Sequence, residues 1–335
     1  MSRPVTTSWR ASSAWPDVDV VMPVRNEEEH LARAVESIRA QEYPGAVRIF
    51  VAIAPSNDDT ERIATGLGDD VAVVPNPAAV TPAGLNAAIR AGSAPVVVRV
   101  DGHSRLSEGY IGRAVETLRR TGAGNVGGMQ VPEPETPFEE AVAAATTSWL
   151  GTGGAKYRLG GAEGPVDTVY LGVFDRAAIE AVGLFDERLV RNQDYELNIR
   201  LRDAGFAVWF DPELAVGYRP RGTWRALARQ YYEYGYWKSV VLRLHPRSAR
   251  MRQLMPPLAV IAGVVGAVTA LRRPRLLIVA AIGGGSFVAL GADTRPATRQ
   301  LTPPLVSVLL SAAWGVGNLH AALSSSTVAP KRAPR

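Results

Sequence analysis

A chain of 335 residues with 47% apolar content can bury one full α/β core and still carry an apolar appendage. It has no cysteine, which excludes disulfides, thiolate metal sites and cysteine nucleophiles, so any metal must be held by oxygen or imidazole. The net charge of +5 comes from 37 basic residues scattered among 32 acids, a balance that suits an anionic substrate or membrane surface and argues against a dedicated nucleic-acid binder.

Residues 1–17 are polar, with two tryptophans and no apolar stretch of signal-peptide length, and read as a flexible leader. The domain that follows is therefore expected to stay in the cytoplasm. From Val18 to Val131, short β-branched runs alternate with amphipathic helices, the pattern of a mostly parallel, Rossmann-like α/β sheet flanked by helices. Strands are expected at Val18 to Pro23, Val47 to Ala54, Val71 to Val74 and Val96 to Val100. Asn26 is expected to cap the first helix, with Glu29 completing a capping-box-like pair and Leu31, Ala34, Val35 and Ile38 forming its apolar stripe. A second helix starts at Thr81-Pro82 and stops at Gly92.

The stretch from Asn125 to Pro220 offers strand candidates at Val126 to Val131, Thr168 to Val173 and Ala207 to Phe210, with helices from Phe138, Asp175 and Asp194. Gly151 to Gly164 reads as a mobile loop. Gly122-Ala-Gly124-Asn-Val-Gly127 matches the dinucleotide fingerprint in letters, but it follows a helix and precedes a strand, so it is a helix stop and a turn. Thr223 to Leu244 is helical in period and fits either an interfacial helix or a packed helix closing the sheet. Beyond it, Gln253 to Leu271, Leu276 to Ala292 and Leu301 to Leu323 carry no charge; their 19, 17 and 23 residues compare with the roughly 20 that span a bilayer. Residues 253–323 are thus expected to hold up to three transmembrane or re-entrant helices, followed by a basic tail at 324–335. Arginines flank every segment, so the positive-inside rule does not orient them.

Two motifs carry chemistry. Asp101-Gly-His103 ends a β-branched strand, at the edge where open α/β sheets bind ligands, and supplies a hard oxygen and an imidazole for Mg²⁺ or Mn²⁺ on a diphosphate. The alternative is a plain Asp-Gly turn. Arg99, inside an otherwise apolar strand, requires a buried partner. Asp194 opens a helix in Arg191-Asn-Gln-Asp-Tyr-Glu196, where a carboxylate can remove a proton from an acceptor hydroxyl; the alternative for Asp194 and Glu196 is that they favour the helix macrodipole as first-turn acids. One base and one metal site suffice for glycosyl transfer, because a metal-neutralised diphosphate leaves without a general acid.

Taken together, Val20-Val-Met-Pro-Val-Arg-Asn-Glu-Glu28, Pro55-Ser-Asn-Asp-Asp-Thr60, Gly84-Leu-Asn86, Val100-Asp-Gly-His103 and Arg191-Asn-Gln-Asp-Tyr-Glu-Leu-Asn198 resemble the family 2 glycosyltransferases, in particular their succinoglycan-biosynthesis ExoA subgroup. The resemblance runs from about Val18 to Pro246 and implies an inverting enzyme of the GT-A fold. It implies that Pro23, Arg25, Asn26 and Glu27 line the nucleotide with Asp58 near it, and that Asp101 and His103 stand in the place of the usual Asp-x-Asp. It further implies that Asn86 and Arg99 belong to the donor side, that Asp194 is the catalytic base, and that Arg191, Asn192, Gln193, Glu196, Gln230 and Trp237 lie on the acceptor side. Two positions depart from the pattern: Ile53-Ala54 replaces an Asp that bonds the nucleobase in many relatives, and His103 replaces the second Asp of Asp-x-Asp.

The expectation is a transferase using a nucleotide-sugar donor, a divalent cation and a lipid-linked or glycan acceptor in cell-envelope or exopolysaccharide assembly. The apolar segments would hold its catalytic domain, residues 18–246, against membrane lipid at the cytoplasmic face. The rivals are a nucleotidyltransferase of similar fold and a membrane scaffold with a decayed transferase domain.

Overall fold

The structure is a computed structural model that describes residues 8–148, 154–272 and 302–324. Two compact units divide them: 8–131 with 156–218, and 132–155 with 219–324. Along the chain come α1 (Ser8–Ala11), β1 (Val18–Val24), α2 (Leu31–Arg39), β2 (Val47–Ile53), α3 (Thr60–Thr65), β3 (Val71–Pro75), α4 (Thr81–Ala91), β4 (Val96–Arg99), β5 (Arg105–Leu106), α5 (Tyr110–Thr121) and β6 (Asn125–Pro132). Helix α6 (Pro137–Thr146) belongs to the second unit; the chain then returns to the first as α7 (Lys156–Leu159), β7 (Gly164–Pro165), β8 (Tyr170–Asp175), α8 (Arg176–Ala181), α9 (Gln193–Asp203) and β9 (Val208–Tyr218). The second unit closes with α10 (Trp224–Leu244), α11 (Met251–Arg272) and α12 (Thr302–Leu323).

The first unit is built on one sheet of order β3-β2-β1-β4-β8-β6-β9-β5, with β7 paired to β9. The four strands β1 to β4 are parallel, and β8, where the sheet continues, is antiparallel to β4. The sheet is therefore mixed, with its parallel half where the alternating pattern predicted it. Both faces are covered, which is why β4 and much of β1 are rich in valine and do not alternate with polar residues. Val20, Met22, Val96 and Val98 pack with Leu31, Val35, Ile111 and Leu118 of α2 and α5. On the other face Val21 and Val97 pack with Leu85 and Ala88 of α4 and Leu197 and Leu201 of α9. The expected stripe on α2 is buried as read, and Gly92 ends α4.

Several local expectations are corrected. Asn26 does not cap α2: it lies in the left-handed region at φ 54°, which Asn tolerates, and His30 precedes the helix without a side-chain cap. Strand β9 runs on to Tyr218 because Asp211, which breaks the apolar pattern, is buried against Arg113 at 2.8 and 3.0 Å and Thr117 at 3.0 Å. From residue 8 the leader is not loose. Trp9 is buried, and Arg10 donates to Asp175 Oδ2 at 2.9 Å and to the carbonyls of Leu118 and Ala123 at 2.6 and 2.7 Å.

In the second unit Ala141, Val142 and Ala145 of α6, Leu227 and Tyr231 of α10, and Val306 and Leu310 of α12 make one apolar core. The second unit takes in α6 as well as α10, because α10 shares its core with α6 and α12. Thr223 to Leu244 shares its core with α6 and α12 of the second unit, whereas one reading of it expected a helix closing the sheet. Thr223 caps it, accepting from Ala226 N at 3.2 Å. Gly235 and Gly317 let α10 and α12 approach closely, since a Cβ at either would strike the carbonyl of Trp314 or Tyr232. Leu305–Leu323 is long and apolar enough to cross a membrane, with 19 residues and a mean hydropathy of 1.4. Leu276 to Ala292 and Gly151 to Gly153 lie outside the described residues, as does the tail beyond Ser324.

Arg10→Ala should lower stability by about 3 kcal/mol, the usual cost of leaving a buried carboxylate without its partner. Thermal denaturation checks this, and an unchanged Tm would return residues 8–17 to a loose leader.

Candidate active site

Three loops at the carboxyl ends of the parallel strands form the site. The loops after β1 and β2 are stitched together by side chains. Ser56 Oγ accepts from Asn26 N at 3.1 Å, Asn26 Oδ1 accepts from Asn57 N at 2.9 Å, and Thr60 Oγ1 accepts from Glu27 N at 2.7 Å. Asp58 accepts from Thr60 Oγ1 at 2.6 Å and from Glu28 N at 3.3 Å. The Thr60 hydroxyl, ahead of these backbone donors, holds the Asp58 carboxyl below the usual carboxylate range. Asp58 thus shapes the loop that carries Arg25, Asn26 and Glu27; Arg25 is exposed and Pro23 is half-buried at the end of β1.

The third loop is Asp101-Gly-His103. Gly102 is needed for its approach to β1: a Cβ there would lie 3.0 Å from both Val24 Cγ1 and Glu27 Cγ. His103 Nδ1 sits 2.8 Å from Glu27 Oε1. Where Nδ1–H donates to that carboxylate, the ring lone pair is on Nε2. Among the described residues no three His, Asp or Glu are grouped as a protein-only metal cage. The turn offers one carboxylate and one imidazole, a set that suits a hard divalent cation completed by substrate phosphates and water.

Arg99 closes the arrangement from below. Its side chain is 5% exposed, its Nε and Nη2 donate to Asp101 Oδ1 at 3.2 and 2.9 Å, and its Nη1 donates to Asp194 Oδ1. The buried partner expected for Arg99 is thus a pair of carboxylates, brought together from 95 residues away. Burial pushes the Asp101 carboxyl up, but Arg99, His103 and Arg191 outweigh it and hold the group below the usual range. Burial likewise opposes the charge on Arg99, and Asp101 and Asp194 more than restore it. Asn192, at φ 60°, turns the chain so that α9 begins at Gln193 and presents Asp194 in its first turn.

Two expected site residues are used otherwise. Asn86 accepts from Phe185 N at 3.0 Å and donates to Phe185 O at 2.9 Å and Glu187 Oε1 at 2.8 Å, so its amide ties α4 to the turn before Arg191 in place of facing a donor. Glu196 is buried, with Arg200 bound to both its oxygens at 2.8 and 2.7 Å, so its carboxylate is turned inward and not toward an acceptor. The Glu–Arg spacing of four was the sequence signal for that pair. Gln193 is buried, and Arg191 and Asn192 are half-buried beside it. Gln230 and Trp237 belong to the second unit, where Gln230 donates to the Tyr234 hydroxyl at 3.1 Å and Trp237 meets Tyr236 edge-on at 5.8 Å. Sequence reasoning missed Thr60, whose signal was a hydroxyl at the start of a helix beside an Asp pair.

Residues 19–183 match the family described as glycosyl transferase family 2. Over 309 residues the chain is 30% identical to the succinoglycan biosynthesis protein ExoA of Rhizobium meliloti (strain 1021), covering 89% of this chain and 92% of that protein. The chain belongs to glycosyl transferase family 2. A more distant relative of this glycosyltransferase, 22% identical over 68% of the chain and 74% of the relative, is a dolichyl N-acetyl-alpha-D-glucosaminyl phosphate 3-beta-D-2,3-diacetamido-2,3-dideoxy-beta-D-glucuronosyltransferase of Methanococcus voltae. The fold matches a mannosyltransferase from Pyrobaculum calidifontis, solved with GDP-Man and Mn²⁺, with a TM-score of 0.65, 17% identity, and coverage of 92% of this chain and 88% of that one. The glycosyltransferase therefore has the GT-A fold.

Thr60→Val keeps the buried shape but leaves Glu27 N–H and Asp58 without the hydroxyl. It should cost about 2 kcal/mol of stability and loosen the loop around Arg25 to Glu27. Denaturation and nucleotide-sugar titration check this; unchanged stability would mean the stitch is dispensable.

Proposed function

We propose that this glycosyltransferase moves a sugar from a nucleoside-diphosphate sugar to a hydroxyl of a lipid-linked or glycan acceptor, with inversion, in exopolysaccharide or cell-envelope synthesis. The observation that carries the reading is the pairing of Asp101 and Asp194 on one buried Arg99 at the carboxyl end of β4. Asp101 and His103 would hold Mn²⁺ or Mg²⁺, which when bound supplies positive charge against the departing diphosphate. Arg25, Asn26 and Glu27, on the stitched loops, line the nucleotide. Asp194 takes the proton of the acceptor hydroxyl as that oxygen attacks the anomeric carbon; the bond from that carbon to the diphosphate breaks, and its electron pair leaves with the nucleoside diphosphate. Attack from the face opposite the leaving group inverts the anomeric centre.

The acceptor class is supported by the names of the relatives, one of which acts on a dolichyl-phosphate-linked sugar. Membrane attachment is supported by Leu305–Leu323 and by the exposed Met255, Leu258, Val264 and Val265 of α11; the cytoplasmic side for the catalytic unit is part of the proposal.

Full-length protein in native membranes, given UDP-glucose, UDP-GlcNAc or GDP-mannose with Mn²⁺, should release nucleoside diphosphate from one of them. Release of sugar 1-phosphate, the group left when the nucleoside monophosphate is transferred, would indicate a nucleotidyltransferase, and no release from any donor a scaffold. With the active donor, Asp194→Asn should lower transfer by about a hundredfold to ten-thousandfold while donor affinity stays near parental. Near-parental turnover would reject Asp194 as the base. Asp101→Asn should instead weaken Mn²⁺-dependent donor binding, read by calorimetry.

A further inference from the structure

Arg99 occupies a position that elsewhere in β4 is filled by valine. It is partnered in register with Val21, and it shares the sheet face of Val97, which packs against α4 and α9. A guanidinium in that setting is costly unless its charge is matched and its N–H groups are used. Both conditions are met by two carboxylates that are themselves partly open, Asp101 with 22% of its side chain exposed and Asp194 with 34%. Arg99 engages Oδ1 of each. The planar fork has a fixed spread, so one Arg sets the separation and rotamer of both acids; the flexible ammonium of a Lys is a point charge and cannot fork.

We propose that Arg99 is a positioning residue for transfer: it fixes the Asp194 carboxylate in its proton-accepting orientation and ties that orientation to the donor-side Asp101. This rests on the reading of Asp194 as the base and Asp101 as part of the donor site. It departs from the expectation that Arg99 binds the donor, because all the hydrogen bonds described for its guanidinium go to the two carboxylates. The backbone of α9 alone does not fix the base, since Asp194 is in the first turn and follows the left-handed Asn192. A cation anchored in the sheet does.

The test is a double-mutant cycle on the full chain in native membranes, with Mn²⁺ and whichever of UDP-glucose, UDP-GlcNAc and GDP-mannose the parental protein turns over. Arg99→Lys should lower kcat roughly tenfold to a hundredfold, the scale of a misplaced catalytic group, with donor KM changed by less than about threefold. In the Asp194→Asn background the same substitution should cost less than about threefold, since its target is gone. A purely structural role would instead lower both backgrounds equally. Full additivity overturns the proposal, as does a loss carried by donor KM with kcat unchanged, which would make Arg99 a donor contact. If Asp194→Asn alone turns over at the parental rate, the base assignment fails and the proposal falls with it, a result distinct from additivity. Arg99→Gln, measured in the same two backgrounds, serves if Arg99→Lys does not accumulate as folded protein; the same coupling is expected and the same additivity overturns it.

Discussion

A buried positive charge in a central strand is the constraint around which the catalytic unit is organised. Arg99 cannot stay ionised under the valines of β4 without anionic partners, and the partners it finds come from the turn after its own strand and from a helix 95 residues on. That requirement pulls the first turn of α9 over the carboxyl end of the parallel sheet, where ligands of such sheets bind. The proposed metal ligand and the proposed base are thus neighbours for an electrostatic reason that exists before any substrate arrives.

The same device recurs wherever the chain needs to be pinned. Asp19, fully buried in β1, accepts from Arg176 at 2.8 Å and from Ala94 N at 2.7 Å, closing the end of the sheet opposite the site. Asp175 receives Arg10 and also caps α8 through Ala177 N and Ala178 N at 3.0 and 3.3 Å. Arg200 secures Glu196 and the carbonyls of Val182 and Leu184. Each arrangement satisfies several buried groups at once, which makes a buried charge tolerable and removal of one partner expensive. Outside these pinned ends lie the loops after β1, β2 and β4, the proposed ligand side, and side-chain stitches through Ser56, Asp58 and Thr60 restrain even those.

The second unit adds close helix packing to the same device, with Arg219 bound to the buried Glu139 at 3.0 Å. Glycines at 235 and 317 allow α10 and α12 to approach to backbone contact, and the Tyr232 hydroxyl bonds His320 Nδ1 across the pair. Its outer residues, such as Leu258 and Val265 on α11 and Leu305 and Val308 on α12, are exposed and apolar, in keeping with a lipid surround.

By itself the sequence determined the parallel half of the sheet, because strands buried on both faces are rich in β-branched residues, as β4 and much of β1 are, and helices that cover them must carry a 3.6-residue stripe, as Leu31, Ala34, Val35 and Ile38 do. It also marked Asp101 and Asp194 separately, each at the end of an element and each within a motif of the family pattern. What it did not contain was the pairing. That Arg99 takes both acids, that Glu196 turns inward to Arg200, that Asn86 serves a backbone turn and that Asp211 lets β9 run on to Tyr218 all depend on partners distant in the chain or on which face a helix presents. Local spacing specifies an element and its buried side; only the assembled tertiary structure decides which opposite charge lies across from a buried one.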